Sequence, residues 1–219
     1  LMSGTSLRND IANLATAARA YHLMRTLPWN DGGQRMLPTS LFLEYKTEMN
    51  AYRTKFEALV DQFVQNYPAL VQTANNYLGS LFNADDYPSA DEVHSKFGFK
   101  LTFSPVPDSG DFRLDVPADA LAELTKQYED NFNTRLAEAM KEPWDKLRKT
   151  LVAMTEKLAD TDNDGKKRYH DSLIGNIKDM CDLLTHLNVA KDPKLEQARR
   201  EVESMLSSTS MDLIRESAL

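Results

Sequence analysis

The sequence predicts a mainly α protein, in which long antiparallel helices form a bundle or coiled coil with one inserted β-hairpin. Three observations favour this class. Apolar residues recur at alternating spacings of three and four over residues 39–67, and helical spacing returns over residues 118–206. Between them, at about 98–116, apolar and polar residues alternate with the period of two that is typical of strands. We therefore interpret the chain as a single helical domain, 1–219, with residues 84–117 inserted between the helical halves 6–82 and 118–206.

The N-terminal half contains two predicted helices. The first runs from Ser6 to Thr26 and stops at Leu27-Pro28, because the residue before a proline is disfavoured in a helix. The second begins after Pro38 and carries seven regularly spaced apolar residues, called the stripe below: Phe42, Tyr45, Met49, Tyr52, Phe56, Leu59 and Phe63. A stripe of this kind must pack against another helix, and we expect it to be an interaction surface. Pro68 is expected to interrupt or kink the helix, since proline lacks the amide proton.

The middle of the chain changes its periodicity. Ser89 and Glu92 have the spacing of a capping box at the start of a short helix that reaches Lys96. Beyond it, Phe99, Leu101 and Phe103 alternate with polar residues, a Pro/Gly-rich turn follows, and the alternation resumes at Phe112, Leu114 and Val116. Two such runs around a turn predict a β-hairpin, whose apolar face must lie on helices or on a second copy.

The C-terminal half returns to helical spacing. One apolar series leads from Ala118 to Pro143, which either starts a new helix or kinks a continuous one, and a second series continues to Asp160. Further helices are predicted from Lys166 to Leu187 and from Asp192-Pro193 onward, with Leu195, Ala198, Val202 and Met205 facing inward. Cys181 falls on an apolar helix face, which is typical of a small core residue.

Composition limits the classes of function. The formal net charge of −7 disfavours nonspecific binding to nucleic acids or anionic membranes, because those contacts need cationic surface. The sequence contains no stretch of 18 apolar residues, so it predicts no membrane span. It also contains no signal-peptide pattern. A single cysteine excludes an intrachain disulfide and favours a reducing environment. We therefore expect a cytoplasmic protein that does not act at a membrane.

The segment 160–171 has the spacing of a calcium-binding loop. Asp160, Asp162, Asp164 and Asp171 occupy positions 1, 3, 5 and 12, and Gly165 occupies position 6. The second half of the loop, however, is rich in basic residues, and position 12 is the shorter Asp where calcium loops have Glu. An acidic turn between two helices explains the same residues, and we favour that interpretation over a metal site.

The remaining candidate chemistry is sparse. Lys166, Lys167 and Arg168 form the best basic cluster, which could contact phosphates, although a solvated charged helix face is the commoner explanation. The four histidines have no metal-ligand spacing, and the sequence contains no nucleophile elbow, phosphate-binding loop or dinucleotide fingerprint. The sequence thus predicts a protein that is not an enzyme and that needs no cofactor.

Several turn-rich strings resemble a family of tailed-bacteriophage proteins of unknown function. They span roughly residues 25–120 and comprise Leu27-Pro28-Trp29-Asn30-Asp31-Gly32-Gly33, Leu78-Gly79 with Leu81-Phe82, Asp86-Tyr87-Pro88, and Phe103-Ser104-Pro105-Val106-Pro107 with Gly110-Asp111-Phe112-Arg113. The family has no assigned catalytic residues, so the resemblance implies no site. Its genes often lie near those of a MoxR-type AAA+ ATPase and a von Willebrand A-type protein, which implies an accessory or adaptor role in the cytoplasm of an infected bacterium.

The sequence therefore favours a non-enzymatic helical interaction protein of phage origin. Its expected partners are proteins, either an AAA+ ATPase or a host factor that it modulates as an acidic decoy, and the stripe also predicts a homo-oligomer. The alternative is a nucleic-acid-associated protein in phage DNA replication or recombination, which would use the basic cluster at 166–168.

Overall fold

Long amphipathic helices dominate the computed structural model, which describes residues 6–30, 32–106, 118–159 and 171–208. The predicted mainly α class is confirmed. In chain order the elements are α1 (Ser6–Arg25), β1 (Leu27–Pro28), β2 (Arg35–Met36), α2 (Phe42–Leu78), α3 (Ala90–Ser95), α4 (Ala118–Ala139), α5 (Lys141–Ala159), α6 (Asp171–Leu187) and α7 (Pro193–Ser208). Short 3₁₀ turns occupy Thr39–Leu41, Gly79–Leu81 and Ala84–Asp86.

The chain forms two compact units. Unit 1 comprises Leu1–Met24 and Phe42–Val106, and unit 2 comprises Arg25–Leu41 and Pro107–Leu219. Each unit has its own hydrophobic core within the described residues. That the whole chain is one domain with an insertion at 84–117 stays a prediction.

The core of unit 1 forms where α2 packs against α1 and α3. Ile11 of α1 and Val93 of α3 are buried together with four residues of α2: Phe56, Val60, Phe63 and Tyr67. Helix α2 continues through Pro68, so the expected interruption is wrong, and the alternative of a kink stays a prediction. Proline removes one backbone hydrogen bond, and that loss is local. Pro68 is exposed and the neighbouring Tyr67 is buried, so packing maintains the helix on both sides of the lost bond.

The short helix α3 begins with the predicted capping box. The Ser89 hydroxyl accepts a hydrogen bond from the Glu92 amide at 3.3 Å, and the Glu92 carboxylate accepts from the Ser89 amide at 2.8 Å. These two bonds satisfy backbone donors that a helix start leaves unpaired. They also hold the pKa of the Glu92 carboxyl below its usual value. The cap fixes the start of α3 and so places Val93 in the core.

The hairpin in the described residues lies at a different place from the predicted one. Leu27 pairs with Met36 and Pro28 with Arg35 in an antiparallel arrangement, and the turn between them includes Gly33 at a φ of +78°. Residues 98–106, the first half of the predicted hairpin, form no strand, and its second half lies outside the described residues. The alternation at 97–103 has another cause. Phe97, Phe99 and Leu101 are half-buried on unit 1, whereas the residues between them are exposed.

Unit 2 is a stack of sequential helices around two buried clusters. Leu147 of α5, Ile177 and Leu184 of α6, and Leu195 of α7 are buried in the larger cluster, as is Cys181, which confirms its predicted core position. The smaller cluster joins Leu27 and Leu41 to the end of α4 and to α6. Contacts between α4 and α5, α5 and α6, and α6 and α7 follow chain order.

Pro143 and Met205 of unit 2 each bear on a prediction made from the sequence. Pro143 lies in the first turn of α5, where its missing N–H breaks no helical bond, so a new helix begins there. In α7, Leu195 and Val202 are buried as predicted, but Met205 is 65% exposed. Met205 lies near the end of α7, after Val202, which is the last buried residue among the described side chains of the helix. Met205 is therefore not part of the buried face that the sequence predicted.

Candidate interaction surface

The stripe on α2 is covered within unit 1. Its side chains Tyr45, Met49, Phe56 and Phe63 are buried, and the other three are half-buried. The ring of Tyr21 from α1 lies 6.0 Å from that of Tyr45 and 5.9 Å from that of Tyr52. The expectation that the stripe is a docking surface is therefore corrected, because groups of the same chain already cover it.

The segment after α3 covers the rest of the stripe. The ring of Phe97 lies 5.8 Å from that of Phe63, and the ring of Phe103 lies 5.2 Å from that of Phe42, both edge-on. Phe99 packs on Phe56 with their ring centroids 5.9 Å apart. Each of these aromatic pairs contributes stability beyond that gained by burying the apolar area of the rings. The alternating aromatic residues that predicted a strand thus cover part of the apolar face of α2.

His22 and Tyr45 form a polar contact in the core of unit 1. His22 Nδ1 and the Tyr45 hydroxyl share a hydrogen bond of 2.7 Å. Burial, with a smaller contribution from Tyr21, raises the pKa of Tyr45 to about 12. Burial therefore keeps the Tyr45 phenol neutral near neutral pH, and its hydrogen bond with His22 joins α2 to α1.

A polar cluster in unit 2 attaches the hairpin to α5. Arg35 Nη2 donates to both Glu142 carboxylate oxygens, at 2.8 and 2.9 Å, and Lys146 Nζ lies 2.9 Å from the same carboxylate. Arg35 Nε also donates to Thr26 Oγ1 at 2.7 Å. Burial lowers the pKa of Lys146, although Glu142 acts in the opposite direction.

A cleft of about 400 Å³ lies beside this cluster. Its lining combines three carboxylates and three ammonium groups with one proline: Pro28, Glu138, Lys141, Glu142, Asp145, Lys146 and Lys149. Within it, Glu142 is held by Arg35 and Lys146, and Asp145 lies 3.5 Å from Arg148. Three of the charged groups in the lining, Glu142, Lys146 and Asp145, are thus engaged in ion pairs of unit 2.

The candidate metal and phosphate residues are mostly outside the described part of the chain. This holds for Asp160, Asp162 and Asp164, and for Lys166, Lys167 and Arg168. Asp171 is the first residue of α6, but its side chain is also outside. Among the described residues, no group of three or more His, Cys, Asp and Glu side chains could hold a metal ion.

Among the described residues of unit 1, the most exposed large apolar side chains lie at and just after the end of α2. Tyr77 is 87% exposed and Leu81 is 82% exposed. We call residues 77–81 the α2 tip. The last residue of α2 that packs against the core of unit 1 is Val71, so the two helical turns that lead to the tip extend past that core. At the tip Gly79 has a φ of +53°, which favours glycine and ends the helix.

The segment that leads from the tip to α3 contains an aromatic contact of its own. The rings of Phe82 and Tyr87 are stacked with centroids 5.0 Å apart. Between them, the Asn83 side chain accepts a hydrogen bond from the Asp85 amide and caps the short 3₁₀ turn Ala84–Asp86. The contact and the cap hold this connection in a defined shape, while Tyr77 and Leu81 stay exposed.

The stretch of sequence that contains the α2 tip is acidic. The chain between Lys55 and Lys96 contains no Lys or Arg and has six carboxylate side chains. All six are exposed: Glu57, Asp61, Asp85, Asp86, Asp91 and Glu92. The one histidine in this stretch, His94, lies 3.5 Å from Asp61. Of these acids, Asp85 and Asp86 follow the tip within five residues, whereas Glu92 lies near Tyr67 and Lys96.

Sequence reasoning missed the α2 tip because Tyr77 and Leu81 lie beyond the end of the stripe. A signal was nevertheless present. Two large apolar residues flank a glycine at the end of a helix. They lie in the middle of the longest stretch of the sequence that has no Lys or Arg. Exposed apolar residues of this kind are informative when they are grouped rather than single.

Comparison of the chain with protein-family models, with curated proteins and with solved structures finds no match. None of the helices in the described ranges combines the length and the apolar character that crossing a bilayer requires. The interpretation of the surface therefore depends on its own residues.

Proposed function

We propose that this chain is a non-enzymatic helical interaction protein that binds a protein partner through the α2 tip. The exposure of Tyr77 and Leu81 supports the proposal, because burying a side chain of this size on a partner contributes about 1.5–3 kcal/mol. Tyrosine is also enriched among the residues that dominate binding energy at protein interfaces. The resemblance to the phage family adds an adaptor role and makes a MoxR-type AAA+ ATPase the first partner to test.

The position of the tip fits this role. Helix α2 has 37 residues, and its core contacts end at Val71, so the chain forms two further helical turns that the core of unit 1 does not use. At 1.5 Å per residue, residues 72–78 extend the helix by about 10 Å. An extension of this kind carries the tip away from the core and makes it accessible to another protein.

The alternative function, nucleic-acid binding, receives no support from the described residues. Its basis, Lys166, Lys167 and Arg168, lies outside them. The acids that follow the tip in sequence, Asp85 and Asp86, have the sign that repels phosphate. We therefore keep protein binding as the proposal.

Photo-cross-linking of the full chain in the cells that naturally encode it tests this proposal. Photoreactive p-benzoylphenylalanine would replace Tyr77 or Leu81 in separate variants. The matched control replaces Leu43, which is also on α2 and is 76% exposed but lies 34 residues before Tyr77 (77 − 43 = 34). We expect one protein to be cross-linked from both tip positions and not from position 43. No cross-linked protein from the tip, or the same products from all three positions, would overturn the proposal.

A further inference from the structure

We propose that the cleft lined by β1, α4 and α5 binds a small phosphate monoester through the ammonium groups of Lys146 and Lys149. The site belongs to unit 2 and does not involve the α2 tip, so it goes beyond the proposed function. The observations behind it are the volume of the cleft, the side chains that line it and the excess of positive charge among them.

The buried part of the site combines two cationic side chains with one carboxylate. The side chains of Arg35 and Lys146 are 14% and 15% exposed, and both contact Glu142, at 2.8 and 2.9 Å. Lys146 lines the cleft, and its Nζ also lies 3.4 Å from the carbonyl oxygen of Thr26. These contacts fix an ammonium group beside the cleft, and among the three side chains a single carboxylate stands against two cations.

Lys149 extends the cationic side of the cleft. It lies one helical turn after Lys146 on α5, and its charge acts on that residue. Burial lowers the pKa of Lys146, Glu142 opposes this shift, and the positive charges of Arg35 and Lys149 add to it. Lys149 is exposed and forms no ion pair with a described side chain, and the same is true of Lys141. Both ammonium groups are therefore available to a bound anion.

Positive charge exceeds negative charge around the cleft. The lining contributes three ammonium groups and three carboxylates, and Arg35 and Arg148 pair with two of those carboxylates. Within this set, five cationic side chains stand against three carboxylates, although the whole chain has a net charge of −7. The excess of two charges matches a phosphate monoester, which carries about −1.5 to −2 charge at pH 7.

The donor type and the volume favour a small phosphorylated molecule. Lysine binds phosphate as a mobile point charge, whereas a carboxylate is matched best by the planar fork of arginine. The arginine at this site already holds a carboxylate, since Arg35 donates to both oxygens of Glu142. The cleft of about 400 Å³ falls in the range of small-molecule sites, and a phosphate group fills only part of it. The remaining volume accommodates the organic part of an ester.

Titration of the full chain with glycerol 3-phosphate, followed by ¹H–¹⁵N NMR at pH 7 and low salt, tests the site. Glycerol serves as the neutral analogue, and malate serves as a dicarboxylate of similar charge. We expect saturable shifts of the α5 amides with a dissociation constant of about 1 mM or lower for glycerol 3-phosphate, and at least about tenfold weaker binding of glycerol and malate. No saturable shifts in α5, or equal binding of malate, would overturn the inference.

Charge variants of opposite sign locate the anion. Lys149→Gln removes a cation from the lining and Glu138→Gln removes a carboxylate, and both residues are exposed, so the fold is retained. We expect about fivefold weaker binding of glycerol 3-phosphate by Lys149→Gln and about twofold to fivefold tighter binding by Glu138→Gln.

The matched controls are Lys178→Gln and Glu129→Gln, which make the same changes at exposed positions of unit 2 outside the lining. Screening by salt should keep their effects below about twofold. If Lys149→Gln and Lys178→Gln weaken binding equally, the anion responds only to the net charge of the chain and the inference fails. It also fails if Glu138→Gln strengthens binding no more than Glu129→Gln does.

Discussion

Replacing Phe63 with alanine tests whether the stripe is the core of unit 1. Phe63 is 6% exposed, and its ring lies 5.8 Å from that of Phe97 and 6.4 Å from that of Tyr67. Removing a buried phenylalanine ring costs the transfer free energy of the ring and leaves a cavity, which together amount to about 3–5 kcal/mol. We expect Phe63→Ala to lower the free energy of unfolding of unit 1 by about 4 kcal/mol.

The matched variant is Tyr77→Ala, which also replaces an aromatic residue of α2 with alanine. Tyr77 is 87% exposed, so its removal leaves no cavity and changes the free energy of unfolding by about 0.5 kcal/mol or less. The two variants thus differ in burial and not in chemistry or in helix. If the stripe were an exposed docking surface, Phe63→Ala would change the free energy of unfolding as little as Tyr77→Ala does.

Urea unfolding followed by far-UV circular dichroism measures the difference. With a slope of about 1–3 kcal/mol per molar urea, a loss of about 4 kcal/mol moves the midpoint by more than 1 M. Tryptophan fluorescence does not report this change directly, since Trp29 and Trp144 both belong to unit 2. Hydrogen exchange of the α2 amides assigns the loss to unit 1. A loss below about 1 kcal/mol for Phe63→Ala would refute the internal position of the stripe.

Three further predictions concern charged and titrating groups. Glu142→Gln removes the carboxylate that Arg35 and Lys146 share. We expect it to lower the free energy of unfolding by about 2–3 kcal/mol, which is below the range for fully buried pairs. An unchanged midpoint in unfolding followed by tryptophan fluorescence would contradict this. Two arginine side chains on its own helix hold the pKa of Glu196 at about 2, so its contribution to stability is present above pH 4.5 and disappears as the pH falls toward 2. Glu196→Gln should therefore be less stable than the unmodified chain at pH 6 and equal to it near pH 2, whereas a constant difference in chemical unfolding would refute this. Because the pKa of Tyr45 is raised to about 12, its contribution is complete below pH 10 and declines between pH 10 and 12; Tyr45→Phe should show a smaller decline over that range.

The helices were the most predictable part of the fold. Spacings of three and four identify a buried helix face whatever covers it, and this located α1, α2 and the helices of unit 2. Local chemistry also sufficed where the partners are close in sequence. The two residues of the Ser89–Glu92 capping box lie within one turn of one another. At Pro143 the sequence left two alternatives open, and the structure shows the start of a new helix.

The partners of each buried face could not be predicted from one sequence. Periodicity shows that Phe56 and Phe63 are buried, but not that Ile11 and the segment at 97–103 cover them. The same uncertainty placed the hairpin at 98–116, since alternating aromatic residues can cover a helix as well as pair with a strand. The strands at Leu27–Pro28 and Arg35–Met36 are two residues each, too short to show a period.

The candidate surface was the least predictable part. Whether Tyr77 and Leu81 are exposed depends on where the core of unit 1 ends along α2, and the sequence gives no direct sign of that point. The absence of Lys and Arg between residues 55 and 96 is visible in the sequence, but it does not show which acids lie near Tyr77 and Leu81.

The affinity of the cross-linked partner for three forms of the full chain tests the central claim most directly. These are the unmodified chain, the double variant Tyr77→Ser with Leu81→Ser, and the control Leu43→Ser. We predict that the dissociation constant rises about 30-fold or more for the double variant, as for loss of a binding hot spot, and changes less than about threefold for the control. Equal dissociation constants for the double variant and the unmodified chain would show that the α2 tip is not the binding surface.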